Sequence, residues 1–557
     1  MKIKVGIFFG GPSREREISF AGGRTVYDNL NKSIFDPIPV FVDSNKNFIL
    51  LNWENIYKGS IRDFYPPVKQ LPTSPNNFQI YLESLGQLDI DQQDLLINNI
   101  GKRLSPEELA QSINVAFLAL HGEYGEDGAI QEELQNLKIP YTGSGIEASR
   151  IGMDKAIQKA LMVEKGFEAP PVVVMNRNEW LDDPHAFFRK AKEEITFPMV
   201  IRPANQGSSI GVAILESEDE RAFMEAVNGA FFREQIPVGR WKESSDYEKI
   251  EHIRFITDIR DGVGFPLNVS FANEEYTIYH PEQLLSFLNE KTTSWEGEDT
   301  ASFLLEGFLG EEKVIAEGFI DGKEFSCIVI RKEDGSAVAL PPTEIVKGSE
   351  VFDYRSKYMP GLSRKETPIN LPTEKIESIR QECERLFQEL GFQTYARIDG
   401  FITPEDKIFL NDPNTTSGML PSSFFFHQAA EIGLNPSQFL TYIIRTSLQE
   451  RLAEQNEEAS YQALLEFLDD KINSLKEEAI KKQKIGVFLG GYSFERHISV
   501  ESGRNIFEKL SSSDKYEPIP IFLTGSKDNF ELYQLPINLL LKDNADDIRD
   551  KIKKWSV

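Results

Sequence analysis

The sequence predicts a multidomain chain of mixed α/β and α+β class, and three observations carry that prediction. The N-terminal run Met1-Lys-Ile-Lys-Val-Gly-Ile-Phe-Phe-Gly-Gly reads as a strand feeding a glycine turn and a helix, the opening of an α/β unit with parallel strands. The same pattern returns late in the chain. Lys4-Val-Gly-Ile-Phe-Phe-Gly-Gly-Pro-Ser-Arg-Glu-Arg-Glu-Ile-Ser19 recurs as Lys484-Ile-Gly-Val-Phe-Leu-Gly-Gly-Tyr-Ser-Phe-Glu-Arg-His-Ile-Ser499, and the match continues through Gly503-Arg504 and Glu517-Pro-Ile-Pro-Ile-Phe522. Residues 484–557 therefore read as a partial duplicate of the N-terminal domain. Third, Ala396-Arg-Ile-Asp-Gly-Phe-Ile-Thr-Pro-Glu-Asp-Lys-Ile-Phe-Leu-Asn-Asp-Pro-Asn414 reads as a β-hairpin, the antiparallel signature of an α+β domain.

Taken in order, Gly10-Gly-Pro-Ser-Arg-Glu15 turns the first strand toward a helix for which Ser19 is the expected N-cap. The turn lacks the spaced glycines of a dinucleotide fingerprint, and no Walker-type lysine motif occurs. Glu15 alone would do no more than complement the helix dipole. Val115-Ala-Phe-Leu-Ala-Leu120 is a buried-strand run ending at His121, and Gly125 to Gly128 turn into a helix around Ile130 to Leu137. Met199-Val-Ile-Arg-Pro203 is a short strand feeding the loop Asn205-Gln-Gly-Ser-Ser-Ile-Gly211. That loop offers the unobstructed backbone N–H groups and hydroxyls that wrap a phosphate. Arg202 at the strand end would add a fixed positive charge, though an ordinary surface arginine reads the same way. Residues 229–306 show no clean period. Residues 455–483 carry Leu464, Leu468, Ile472 and Leu475 at helical spacing and read as a solvated connecting helix.

In the hairpin, taking Pro404 to Lys407 as a four-residue turn puts Asp399 opposite Asp412, with Arg397 and Asn414 on the same face. Like charges across a ladder are destabilising, which suggests a cation between them. Two carboxylates and an amide oxygen form a hard-oxygen set suited to Mg²⁺. An exposed hairpin with scattered acids is the plain alternative.

Composition excludes several classes. The chain has 557 residues, enough for roughly three to five domains, and 40% of them are hydrophobic. No apolar run approaches ~20 residues, so no membrane segment is expected and a cytoplasmic location is. Two cysteines, Cys327 and Cys383, rule out a disulfide framework or a cysteine zinc site. A net charge of -27 argues against nucleic acid as a partner but leaves room for a small anion beside a local basic cluster.

Read together, Gly10 to Ser19, Leu120-His-Gly122 with Gly125-Glu-Asp-Gly128, Ile139-Pro-Tyr-Thr-Gly-Ser-Gly145, Met153-Asp-Lys155, Gly207-Ser-Ser-Ile-Gly211, Phe352-Asp-Tyr-Arg-Ser-Lys-Tyr358, Arg397-Ile-Asp399 and Asn414-Thr-Thr-Ser-Gly-Met419 closely resemble the D-alanine-D-alanine ligases of the ATP-grasp superfamily, in the family's order. The resemblance spans residues 1 to about 450. It implies an N-terminal α/β substrate domain (1–143), a central ATP-grasp domain (144–321) with an insertion at 229–306, a C-terminal ATP-grasp domain (322–452), a helical linker (453–483) and the partial repeat (484–557).

The resemblance also implies roles, residue by residue. Lys155, Arg202 and Ser209 would contact ATP phosphates, with Lys357 on the active-site loop. Glu317 and Glu324 would sit at the adenine and ribose ends. Asp399, Asp412 and Asn414 would hold two Mg²⁺ ions, with Mn²⁺ as a substitute. Glu15 would hold the first substrate's ammonium, near His121, with Ser208 and Tyr358 in the set that closes the loop. Arg397 and the Gly418 N–H would face the tetrahedral intermediate, and Ser423 with Phe424 would seat the second amino acid.

Three positions depart from the pattern: Arg202 replaces a lysine, Asp412 a glutamate and Phe424 a leucine. Three functions follow as alternatives: D-alanine-D-alanine ligation for peptidoglycan precursors, the same chemistry on another carboxylate and amine, or a non-catalytic ATP-binding regulator. The partners implied are ATP and small amino acids, with the repeat packing within the chain or mediating a homodimer.

Overall fold

The computed structural model describes residues 2–308, 310–347, 363–454, 459–478, 482–541 and 544–555. The N-terminal sheet contains β1 (Ile3–Gly10), β2 (Phe35–Val42), β3 (Phe48–Leu51), β4 (Gly101–Arg103) and β5 (Val115–Leu118) in the order β4-β3-β2-β1-β5. β1 runs parallel to both β2 and β5, so its unbroken apolar run is buried on both faces. Phe9 joins the core that contains Phe20 and Phe41, while Phe8 packs with Val40, Leu118 and Ile130 on the other side.

Gly10 ends β1 at φ +95°, where a Cβ would stand 2.4 Å from the Val42 carbonyl oxygen, so only glycine makes this turn. The helix it feeds is Arg16–Asn29 and begins immediately after Glu15. The expected cap at Ser19 is corrected: Ser19 lies within the helix, accepts from Gly10 N at 2.9 Å and donates to the Ala119 carbonyl at 2.9 Å. It pins the ends of β1 and β5 instead of closing the helix.

Two antiparallel sheets face one another across a cleft. One contains β6 (Val172–Asn176), β7 (Met199–Pro203), β8 (Ala213–Leu215) and β13 (Lys313–Gly318), ordered β6-β13-β7-β8. The other contains β14 (Lys323–Arg331), β15 (Ala337–Ala339), β16 (Thr343–Lys347), β17 (Ser363–Glu366), β18 (Tyr395–Ile402) and β19 (Ile408–Asn414). Its order is β17-β16-β14-β18-β19, with β15 paired to β14.

The aperiodic stretch 229–306 folds as a lobe of its own. β9 (Arg233–Pro237), β10 (Leu267–Phe271), β11 (Glu274–Ile278) and β12 (Ser302–Gly307) form an antiparallel sheet ordered β11-β10-β12-β9, packed by helices Asp246–Thr257 and Pro281–Thr293. Its strands are five or six residues long and alternate with helices, which breaks any single period. Its core also takes Phe78 and Ile210 from outside the stretch.

Helix Ala459–Glu478, expected as a solvated connector, packs on helix Pro436–Glu454: Leu468 is buried and Arg445 pairs with Asp469. Beyond it, β20 (Gln483–Gly490) lies parallel to β21 (Tyr516–Gly525), which pairs antiparallel with β22 (Phe530–Gln534). This unit sits on the N-terminal domain. Lys32 N donates to the Ser512 carbonyl at 3.0 Å, Ser512 Oγ donates to the Asp28 carbonyl at 3.0 Å, and Leu541 enters the core that the N-terminal domain shares with the C-terminal lobe.

Candidate active site

The cleft between the two sheets encloses a cavity of about 450 Å³. From β7 and β13 it receives Arg202 and Glu317; from β18 and β19 it receives Arg397, Asp399, Asp412 and Asn414. Asp399 and Asp412 are direct partners across the ladder, as are Arg397 and Asn414. The loop behind this register is shorter than expected. Thr403 N donates to the Lys407 carbonyl at 2.9 Å, leaving three residues in the turn, and a bulge at Asn411 restores the pairing of Asp399 with Asp412.

Each carboxylate already has a guanidinium. Asp412 is engaged by Arg202, whose Nη1 also lies 3.4 Å from Glu317, and Asp399 accepts from Arg397 at 3.0 Å and from Ser326 Oγ at 2.6 Å. Arg202 is only 7% exposed, so the surface-arginine reading fails. Burial opposes ionisation of Asp412, yet the charges of Arg202, Lys155 and Lys159 hold its carboxyl well below the usual range. Arg202 itself is held above its ordinary value: burial works against its charge, and Asp412 and Glu317 outweigh it. Lys159 pairs with Glu317 at 3.1 Å. Among the described residues no three His, Cys, Asp or Glu side chains converge as a metal cluster.

The glycine loop carries Ser208 and Ser209 at φ +54° and +60°, a strained pair that exposes successive backbone groups. Lys155 Nζ donates to the Gln206 carbonyl at 2.6 Å, and burial lowers the pKa of Lys155 against the opposing pull of Asp412. Ser208 Oγ donates to Glu15 Oε1. Glu15 therefore reaches out of the N-terminal domain to the loop, into a recess it shares with His121, Glu126, Lys155 and Arg397. Burial, then the neighbouring Glu126, raises the pKa of Glu15.

Glu324, Ser209, Gly418, Ser423 and Phe424 also line the large cavity. Ser423 precedes helix Phe424–Glu431, and among the described residues its buried Oγ has no hydrogen-bond partner. His121 lies in the recess, its Nδ1 3.6 Å from Glu126. Lys357 and Tyr358 lie outside the described residues.

Two carboxylates escaped the sequence reading. Glu126 accepts from Gly122 N at 2.8 Å and from Thr416 N at 3.2 Å; Glu311 accepts from Asn205 N and Nδ2 and from Gln206 Nε2. Glu126 stood inside a recognised motif, but Glu311 had no local signal.

A family description, "D-ala D-ala ligase N-terminus", matches residues 4–144, and "D-ala D-ala ligase C-terminus" matches residues 161–249 and 292–445. Two D-alanine--D-alanine ligases align along most of the chain. That of Geobacillus thermodenitrificans is 25% identical over 450 residues, covering 81% of this chain and 96% of the relative. That of Acetivibrio thermocellus is 25% identical over 457 residues, covering 80% and 96%.

Among solved structures, the D-alanine-D-alanine ligase from Coxiella burnetii superposes with a TM-score of 0.52 at 17% identity, covering 83% of this chain and 98% of that one. The VanG D-Ala:D-Ser ligase from Enterococcus faecalis gives 0.51 at 21%, covering 80% and 100%. These two establish the fold. With both halves matched in order and the paired lobes enclosing one cavity, the chain belongs to the D-alanine-D-alanine ligase family, enzymes of the ATP-grasp fold.

Proposed function

We propose that this protein joins two D-alanines at the expense of ATP, through an acyl phosphate, to make a peptidoglycan precursor. One observation carries the reading: Glu15, Lys155, Arg202 and the Arg397–Asp399 pair, drawn from three sheets and the helices between them, converge on adjoining cavities. Glu15 holds the first ammonium. The substrate's carboxylate oxygen then bonds to the γ-phosphorus as the β–γ bridge breaks and ADP leaves, while Lys155 and Arg202 face the transferring charge. The second amine attacks the acyl carbon, with Arg397 and the Gly418 N–H toward the oxyanion, and inorganic phosphate departs as the amine loses its proton. Ser423, at the helix start, seats the second carboxylate with its Oγ, which is unpartnered among the described residues.

The donor chemistry fits Mg²⁺: two hard carboxylates on directly paired positions, and Asn414, whose Nδ2 donates to the Asp412 carbonyl at 2.8 Å and so leaves Oδ1 as the metal-binding atom. Asp399, Asp412 and Asn414 would hold it. Bound there, the metal supplies positive charge for the phosphates. Arg202 must then yield its hold on Asp412.

A second reading keeps the chemistry and changes the second amino acid. Phe424 favours it, since its ring lies 5.0 Å from Lys365 Nζ at the wall beside Ser423. Phosphate release from ATP with D-alanine added or omitted tests both. Stimulation by D-alanine alone supports the first reading, a requirement for a different second amino acid supports the other, and silence with every amino acid rejects ligation.

We also read residues 484–557 as a partial, catalytically silent duplicate of the N-terminal half-domain. The recurrence of sequence supports this. So does the local geometry at Glu495, whose N–H donates to Ser493 Oγ at 3.2 Å as that of Glu15 does to Ser13 Oγ at 3.1 Å. Glu495 lines neither of the two cavities, and Glu495→Gln should leave turnover unchanged.

A further inference from the structure

Residues 250–291 fall between the two segments of the C-terminal family match, yet they grip the N-terminal domain beside Glu15. Arg14 is 5% exposed, and both of its terminal guanidinium nitrogens donate to this addition. Nη1 donates to the carbonyls of Ile259 at 2.7 Å and Gly262 at 3.1 Å, Nη2 donates to that of Val263 at 2.8 Å, and the group lies 3.5 Å over the Phe232 ring. A second grip lies farther out. Glu282 accepts from Ser74 Oγ at 2.7 Å and from Asn76 N and Nδ2 at 3.0 and 2.8 Å.

The same lobe also holds the glycine loop, because Ile210 is buried in its core with Phe232 and Val263. The two loops that meet at the Ser208–Glu15 contact are thus anchored to one body, each within two residues of that contact.

We propose that residues 250–291 form a clamp that sets the seat of the first amino acid, with Arg14 as its positioning residue. The inference rests on the reading of Glu15 as that seat. Arg14 touches no substrate; it fixes the backbone that presents Glu15, while Ile210 fixes the loop that answers it. Lysine cannot replace the group, since one ammonium cannot span three carbonyls and stack on a ring.

Hydrogen exchange and steady-state kinetics on the full chain test this. Arg14→Met should speed amide exchange about tenfold in both 13–15 and 205–211, and raise the KM for the first amino acid about tenfold with kcat and the KM for ATP little changed. Arg14→Lys should recover only part of either effect. Should Arg14→Met fail to fold, Glu282→Gln loosens the same clamp from its far side and should give the same pattern at about threefold. Exchange that quickens only in 258–264, or amino-acid and ATP KM values that rise together, would overturn the clamp. If the wild type shows no ligation at all, the proposed function fails, while the exchange measurement still decides the clamp.

Discussion

Replacing Arg202 by methionine removes the charge between Asp412 and Glu317 while keeping an unbranched apolar stem. Both carboxylates are held by this guanidinium inside the cleft, and burial already opposes the charge of Asp412. Removing one member of a buried ion pair costs about 3–5 kcal/mol, because the remaining charge is stranded. Lys155 and Lys159 stay nearby, which sets the expectation at the lower end, about 3 kcal/mol. At roughly 2–4 °C per kcal/mol for domains of this size, the melting transition of the ATP-grasp lobes should fall by about 6–12 °C. Scanning calorimetry reads this directly. Adding Asp412→Asn to the variant should recover most of the loss, since the stranded charge is then gone. A single-variant loss below about 1 kcal/mol, or a double variant no better than the single, would refute the claim that Arg202 neutralises this site.

Glu15→Gln should raise the KM for the first amino acid about 10- to 100-fold with little effect on ATP, the range for losing a charged hydrogen bond; an equal rise for ATP would move Glu15 to the nucleotide side. Glu495→Gln, in the C-terminal unit, should change neither KM in the same assay. Because burial and then Glu126 raise the pKa of Glu15, the carboxylate is lost as pH falls through that raised value, so the first amino acid's KM should climb toward acid sooner than an exposed carboxylate would predict; a KM flat down to the ordinary carboxylate range contradicts this. Glu508, on helix Arg496–Ser511, which packs against helix Arg16–Asn29 of the N-terminal domain, is pushed up to about 7 by burial. The folded chain then binds a proton that the unfolded chain releases near pH 4.5, so stability should fall by about 3 kcal/mol as pH rises from there to about 7. Chemical denaturation across pH should show that slope in the wild type and its loss in Glu508→Gln.

The hairpin shows how a correct register can be read for an incomplete reason. A four-residue turn over 404–407 pairs Asp399 with Asp412, and they do pair. The turn is nevertheless one residue shorter, with Asp406 at φ +66°, and ladder pairs from Ile402↔Ile408 to Gly400↔Leu410 are shifted accordingly. Asn411 takes up the difference as a bulge, where its side chain meets Lys159. Two one-residue errors cancel. Nothing in the local sequence marks this bulge, which inserts one residue, Asn411, between Leu410 and Asp412. The buried strand Val115–Leu118 and the turn at Gly10 were legible because their causes are local: an unbroken apolar run and a conformation only glycine adopts.

What stayed hidden depends on contacts between distant segments. Arg202 looks like any strand-end arginine until β13 places Glu317 and β19 places Asp412 around it, 115 and 210 residues further along the chain. Glu126 accepts from Thr416 N, 290 residues away, and thereby links the N-terminal domain to the loop that follows Asn414. The lobe at 229–306 was the hardest to read, because its core borrows Phe78 and Ile210 and no window of its own sequence contains the full apolar face. That borrowing also has a functional consequence. A lobe that closed its own core could drift from the active site, whereas one completed by the glycine loop and the N-terminal domain can be well packed only when those two segments are brought together, as Glu15 and Ser208 require.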